Sequence, residues 1–122
     1  MTVRSLFPIL RTRDLGRLVA FYSTAFGATE HYRWDDVYVA LSVGGGSLGI
    51  GREPAAREGD QLSIWIYVDD VDAVHQACLD AGATSLVAPD DMPWGERVAQ
   101  LHDPDGNLLY LGATSAAGAS NT

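Results

Sequence analysis

Three histidines, one cysteine and a set of aromatic rings are the side chains of this chain best suited to chemistry or to gripping a ligand. His31, His75 and His102 form no ligand cluster in sequence, so they do not announce a metal site. His75 sits beside Val74 in a helical stretch and His31 near a turn, and both read as surface residues. His102 ends a short apolar run, where it is either a general base or a group hydrogen-bonded to a neighbour or to water. Cys78 falls on the apolar stripe of a predicted helix and reads as a small buried hydrophobe. No nucleophile–base pair stands out, and Gly44-Gly45-Gly46 lacks the context of a phosphate-binding loop. What remains is rings. Phe7, Trp34, Tyr38, Trp65, Tyr67, Trp94 and Tyr110 offer flat apolar surface, which either fills a core or stacks on a planar ligand.

The elements that must position these residues are legible from pattern. Asp103-Pro104-Asp105-Gly106 is the signature of a type I turn, with short apolar runs Val98–His102 and Asn107–Leu111 on either side, so the stretch reads as a β-hairpin. Pro93-Trp94-Gly95 sits at its mouth. Earlier, Leu6–Thr12 reads as a strand, and Asp14 caps a helix through Leu15, Leu18, Val19, Tyr22 and Phe26 that Gly27 ends. Glu30–Trp34, Val37–Val43 and Ser47–Gly51 read as strands, the last two joined at Gly44-Gly45-Gly46. A polar linker, Arg52–Asp60, follows. Then the pattern restarts: a strand at Leu62–Val68, a helix capped by Asp69 or Asp70 and ended by Gly82, a short strand at Thr84–Val87, and the hairpin.

This is an internal repeat. Asp14-Leu15, Leu18 and Gly27-Ala28 match Asp70-Val71, Val74 and Gly82-Ala83. The expectation is an α+β fold of two βαβββ modules, about 5–51 and 61–112, forming a curved mixed sheet of eight strands with helices on its convex face. Residues 1–112 make a single domain and 113–122 a disordered tail. Strand alternation then assigns faces. Leu62, Ile64, Ile66 and Val68 pack on the helix, so Ser63, Trp65 and Tyr67 face the cavity. By the same parity Leu10, Ala99, Leu101, Leu109 and Leu111 go to the helices, while Phe7, Ile9, Arg11, Val98, Gln100, His102, Leu108 and Tyr110 point inward. Val37, Val39, Leu41 and Val43 read as core, leaving Tyr38, Ala40 and Ser42 inward.

The net charge of −8 argues against nucleic acid, whose binding rests on neutralised phosphates, and permits capture of a cationic ligand. No apolar run is long enough to span a bilayer and no leader precedes a cleavage site, so no membrane partner is expected and the location read is cytoplasmic.

The stretch PWGERVAQLHDPDGNLLYL, and DPDGN above all, resembles the closing hairpin of the vicinal-oxygen-chelate superfamily of glyoxalases, ring-cleaving dioxygenases and bleomycin-resistance proteins. With the repeat, the resemblance covers roughly residues 5 to 112. It implies a pair of βαβββ modules, usually assembled as a homodimer with cavities between modules. It also implies four metal-ligand positions, which fall here on Phe7, Gly49, Ser63 and Tyr110. None is a His or a carboxylate, so neither metal nor another cofactor is expected. FPILRTRDL, the Trp34-Asp35-Asp36 corner and the Trp65 strand look like the metal-free bleomycin-resistance branch. The expected partner is therefore a planar, cationic antibiotic or similar small molecule, held by Phe7, Trp34, Asp36, Tyr38, Ser63, Trp65, Tyr67, Trp94, Gln100, His102 and Tyr110. The alternative is an enzyme of the same fold, a lyase, isomerase or oxygenase with or without metal, using His102, Tyr67 or Tyr110 as acid–base groups.

Overall fold

The computed structural model describes residues 4–5, 7–56, 59 and 62–114. Leu6, part of the expected first strand, and residues 115–122 of the expected tail lie outside them. The chain divides into two compact units, Met1–Glu58 and Gly59–Thr122.

In the first unit β1 (Ile9–Thr12) leads to α1 (Leu15–Phe26), then β2 (Thr29–Trp34), β3 (Tyr38–Val43) and β4 (Gly46–Arg52). Asp14 caps α1 by accepting from the Arg17 N–H, which satisfies one of the helix's orphan donors. Gly27 ends it at φ 67°, a left-handed conformation that glycine adopts without penalty. Leu15, Leu18, Val19, Phe21, Tyr22 and Ala25 are buried. The second unit repeats the plan with β5 (Ser63–Tyr67), α2 (Val71–Asp80), β6 (Thr84–Asp91), β7 (Glu96–His102) and β8 (Leu108–Thr114). Of the two candidate caps it is Asp70 that accepts from the Ala73 N–H.

Strand pairing gives two four-stranded mixed sheets, ordered β1-β4-β3-β2 and β5-β8-β7-β6. In each, the first and last strands of the unit pair in parallel and the rest antiparallel. This is the doubled βαβββ architecture expected from the repeat. Each helix packs on one face of its own sheet.

The turn Asp103–Gly106 closes as the sequence indicates, with the Gly106 N–H on the Asp103 carbonyl at 2.8 Å. Its side chains are more deeply used than a surface turn requires. Asp103 is buried, and its carboxylate accepts from the N–H groups of Asp105 and Asn107 at 2.9 Å and from Asn107 Nδ2 at 3.0 Å. The DPDGN motif is thus an internally bonded plug that sets the β7–β8 register.

Several expectations change. Strand β6 runs on to Asp91, well past Val87. It is an edge strand with two register irregularities, and Pro89 falls between the Val87 and Asp90 pairings, where no ladder N–H is demanded of it. Strand β7 starts at Glu96 rather than Val98, and β8 continues to Thr114, two residues into the expected tail. Val37 is 43% exposed and Val43 half-buried, so neither is core. Val37 lies in the β2–β3 turn and Val43 ends β3 beside the Gly44-Gly45 turn, where both stay partly open to solvent. Among the described residues no helix is long and apolar enough to cross a membrane.

Candidate functional site

The face of each sheet turned away from its helix carries the exposed rings. In β5 alternation holds: Ile64 and Ile66 are half-buried, and Ser63, Trp65 and Tyr67 are exposed. In β8, Leu109 and Leu111 are fully buried, while Leu108 and Tyr110 show their other side. Because β5 and β8 pair in parallel with Trp65 opposite Tyr110, two rings meet across the ladder. They stack with centroids 5.0 Å apart and planes 16° from parallel. Gly112 makes this possible. A Cβ there would lie 3.0, 3.1 and 3.2 Å from three atoms of the Trp65 indole, so the indole lies down over bare backbone. Trp65 nevertheless stays 42% exposed, unlike a core ring.

The row continues from Trp65 to Tyr67, whose centroids are 5.8 Å apart. The Tyr67 phenol is hydrogen-bonded to Glu96, and that bond is the main reason its pKa is raised above the ordinary tyrosine value of 10.0. Glu96 also accepts from Trp94 Nε1 at 2.7 Å. Trp94 stands at the tip of the β6–β7 hairpin, closed by Met92 N–H on the Glu96 carbonyl at 2.7 Å. So Tyr110, Trp65, Tyr67, Glu96 and Trp94 form one connected row. Gln100 and His102 lie further along β7, paired with Tyr110 and Leu108. Glu96 was not among the expected residues. It shares parity with Val98, Gln100 and His102, and placing the strand start at Val98 is what hid it.

The first unit places its set differently. Phe7 precedes β1 instead of lying within a strand, and is 44% exposed. Trp34 and Asp36 belong to the β2–β3 hairpin tip, where Asp35 takes φ 50°. Tyr38 pairs with Trp34, and its ring lies 6.3 Å from Tyr32, a second residue the sequence reading did not select.

The four family metal positions do not fit a divalent ion. The space a side chain at Gly49 would need is filled by the Tyr38 hydroxyl and ring. Tyr110 is committed to the Trp65 stack, and Phe7 has no donor. Among the described residues no three of His, Cys, Asp or Glu converge as a metal cluster. Of the other chemical candidates, two histidines and the cysteine are accounted for. His75 Nε2 and His31 Nδ1 each lie 2.8 Å from a serine hydroxyl, Ser85 and Ser42. Burial pushes the Cys78 thiol up to about 12, which leaves it unreactive near neutrality. A phenol whose proton is held by Glu96 is a poor general base at Tyr67. The arrangement is suited to stacking.

Residues 4–111 match the model of the Glyoxalase/Bleomycin resistance protein/Dioxygenase superfamily. An uncharacterized protein of Mycobacterium bovis is 32% identical, with 88% of this chain and 82% of that one covered. Among solved structures, a glyoxalase/bleomycin resistance protein/dioxygenase family enzyme from Burkholderia phytofirmans superposes with a TM-score of 0.79 at 24% identity, covering 88% of this chain and 96% of that chain. A bleomycin resistance determinant encoded on the transposon Tn5 superposes with a TM-score of 0.67 at 25% identity, covering 92% of this chain and 98% of its own.

Proposed function

Because the chain belongs to the glyoxalase/bleomycin resistance protein/dioxygenase superfamily, and its residues at the family's metal positions are Phe7, Gly49, Ser63 and Tyr110, we propose that it is a metal-free binding protein that sequesters a planar, cationic antibiotic or similar small molecule. The observation that carries this reading is the Trp65–Tyr110 stack, laid flat and left exposed on the face away from α2. Two rings held parallel by a strand ladder lose little freedom when a third plane is added, so stacking on them is pre-organised. Trp94 and Tyr67, both more than half exposed, extend the surface. The likeness to the bleomycin resistance determinant supports the same reading. The working form proposed is a cytoplasmic homodimer, in which a partner covers open sheet edges, and sedimentation at micromolar concentration is expected to give twice the chain mass.

A panel of cationic, neutral and anionic planar drugs is expected to include members that quench tryptophan emission at one ligand per chain. Trp65→Ala is expected to weaken binding by about 2 kcal/mol, roughly thirtyfold, because central aromatic anchors are where truncation costs most. A panel that leaves the emission unchanged sinks the reading.

A further inference from the structure

The net charge is unevenly divided. Residues 1–58 hold seven arginines and six acids, whereas residues 59–122 hold one arginine and ten acids. That one arginine, Arg97, is turned to the helix side of β7. Its guanidinium meets both oxygens of Asp72 at 2.6 and 2.9 Å and reaches Asp91 at 3.3 Å. The ring-bearing face of the second unit therefore has no guanidinium from its own unit. Glu96, one residue before Arg97, points to the other side by strand alternation. Its carboxylate lies at the end of the aromatic row, bonded by Trp94 Nε1 at 2.7 Å and by the Tyr67 phenol. Asp90, which pairs with Val98 in the same face, is exposed nearby. His102 lies at the opposite end of β7 from Glu96.

Building on the reading of this face as a binding surface, we propose that Glu96 is its charge-selecting residue and that its ligand class is a planar aromatic cation. The physical reason is that two attractions coincide. Ring faces carry negative quadrupole density and attract a cation laid over them. A carboxylate at the edge of the same row attracts it again and repels an anion. A neutral ring of the same shape gains the stacking and nothing from Glu96. The residue has a second role as a positioning group, since its Oε1 holds the indole of Trp94.

Glu96→Gln separates the two roles, because the amide keeps an oxygen acceptor for Trp94 and loses the charge. The probes are N-methylacridinium, a fixed cation, and acridine at alkaline pH, where the same ring system is uncharged. Both are titrated against full-length protein by tryptophan quenching. The native protein is expected to bind the cation about tenfold more tightly than the neutral ring, a difference of about 1.4 kcal/mol, with the preference shrinking as salt is raised. In Glu96→Gln the preference is expected to vanish while acridine affinity holds. Glu96→Ala, which removes the acceptor too, is expected to lose the preference and weaken both probes, and it serves if the Gln variant does not fold. A preference that survives in these variants, or an equal weakening of both probes in Glu96→Gln, overturns charge selection. Equal binding of both probes to the native protein overturns it while leaving the stacking face intact. Binding of neither probe to the native protein sinks the binding face and the inference together.

Discussion

Helix α1 buries Leu15, Leu18, Val19, Phe21, Tyr22 and Ala25, whereas α2, in the same place in the second unit, buries Val71 and Cys78. The first helix is held by apolar area, including an edge-to-face pair between Phe21 and Tyr22 with centroids 5.0 Å apart. The second leans on polar ties, Asp72 to Arg97 and His75 to Ser85. On the opposite faces the contrast reverses. Register puts Ile9 against Gly49 in one unit and Trp65 against Tyr110 in the other. Both units lift a tryptophan to a hairpin tip, Trp34 and Trp94, each more than half exposed, and Trp94 is tethered to Glu96. One topology thus tolerates two ways of anchoring a helix and two ways of surfacing a sheet. Caps, strand order and turn chemistry carry the fold, and the outward faces are left to diverge.

Truncation of the two helix anchors tests this contrast with the largest effect. Phe21→Ala is expected to cost about 3–5 kcal/mol and Cys78→Ala about 1 kcal/mol in urea unfolding, because the cost follows the volume vacated. Equal losses would mean that α2 is anchored as firmly as α1.

A smaller effect is expected from the glycines beneath the rings. Gly112→Ala must lift the Trp65 indole, which sits 3.0 Å from the new methyl. The expected loss is about 1–2 kcal/mol of stability, with a changed tryptophan emission and ligand binding weaker by about tenfold. Gly49→Ala makes the same demand of Tyr38 and is expected to cost stability without moving the Trp65–Tyr110 stack. Unchanged emission in Gly112→Ala would show that the indole does not need the bare backbone.

The smallest effect concerns pH. Hydrogen bonding to Arg97 holds the Asp72 carboxyl below its ordinary 3.8. The unfolded chain therefore takes up that proton first as acid is added. The contribution is full above 3.8 and fades as pH falls through the depressed folded value. Asp72→Asn is expected to remove this part of the acid-side loss, seen as a flatter melting temperature between about pH 6 and about pH 3. An unaltered acid limb would show that the tie to Arg97 contributes nothing to holding α2.

The sequence made the caps and faces legible because each depends on local chemistry. Asp14 and Asp70 sit just before apolar helical spacing, and Leu62–Val68 alternates cleanly. DPDG names its own turn. What stayed hidden depends on neighbours. Pro89 looks like a loop residue until β6 is known to be an edge with a bulge beside it. Glu96 looks like a turn residue until the strand is seen to start there, and Tyr32 gains its place only by pairing with Ala40. Val37 and Val43 are apolar and in phase with the core, but one lies in a turn and the other beside one, and both stay partly open to solvent. Composition cannot report where a strand gives way to a turn.

The two rings of the stack come from the strand that opens the second unit and the strand that closes it. Parallel pairing across that whole span must be complete before the rings can meet. On a ribosome, then, the surface does not grow gradually as the unit emerges. A nascent chain that has displayed Trp65, α2 and the β6–β7 hairpin still has half a platform, and it acquires the other half when β8 slots in beside β5. Under the function proposed above, ligand capture would begin only with a finished unit, because a half-made copy has one ring of the stack and no partner for it.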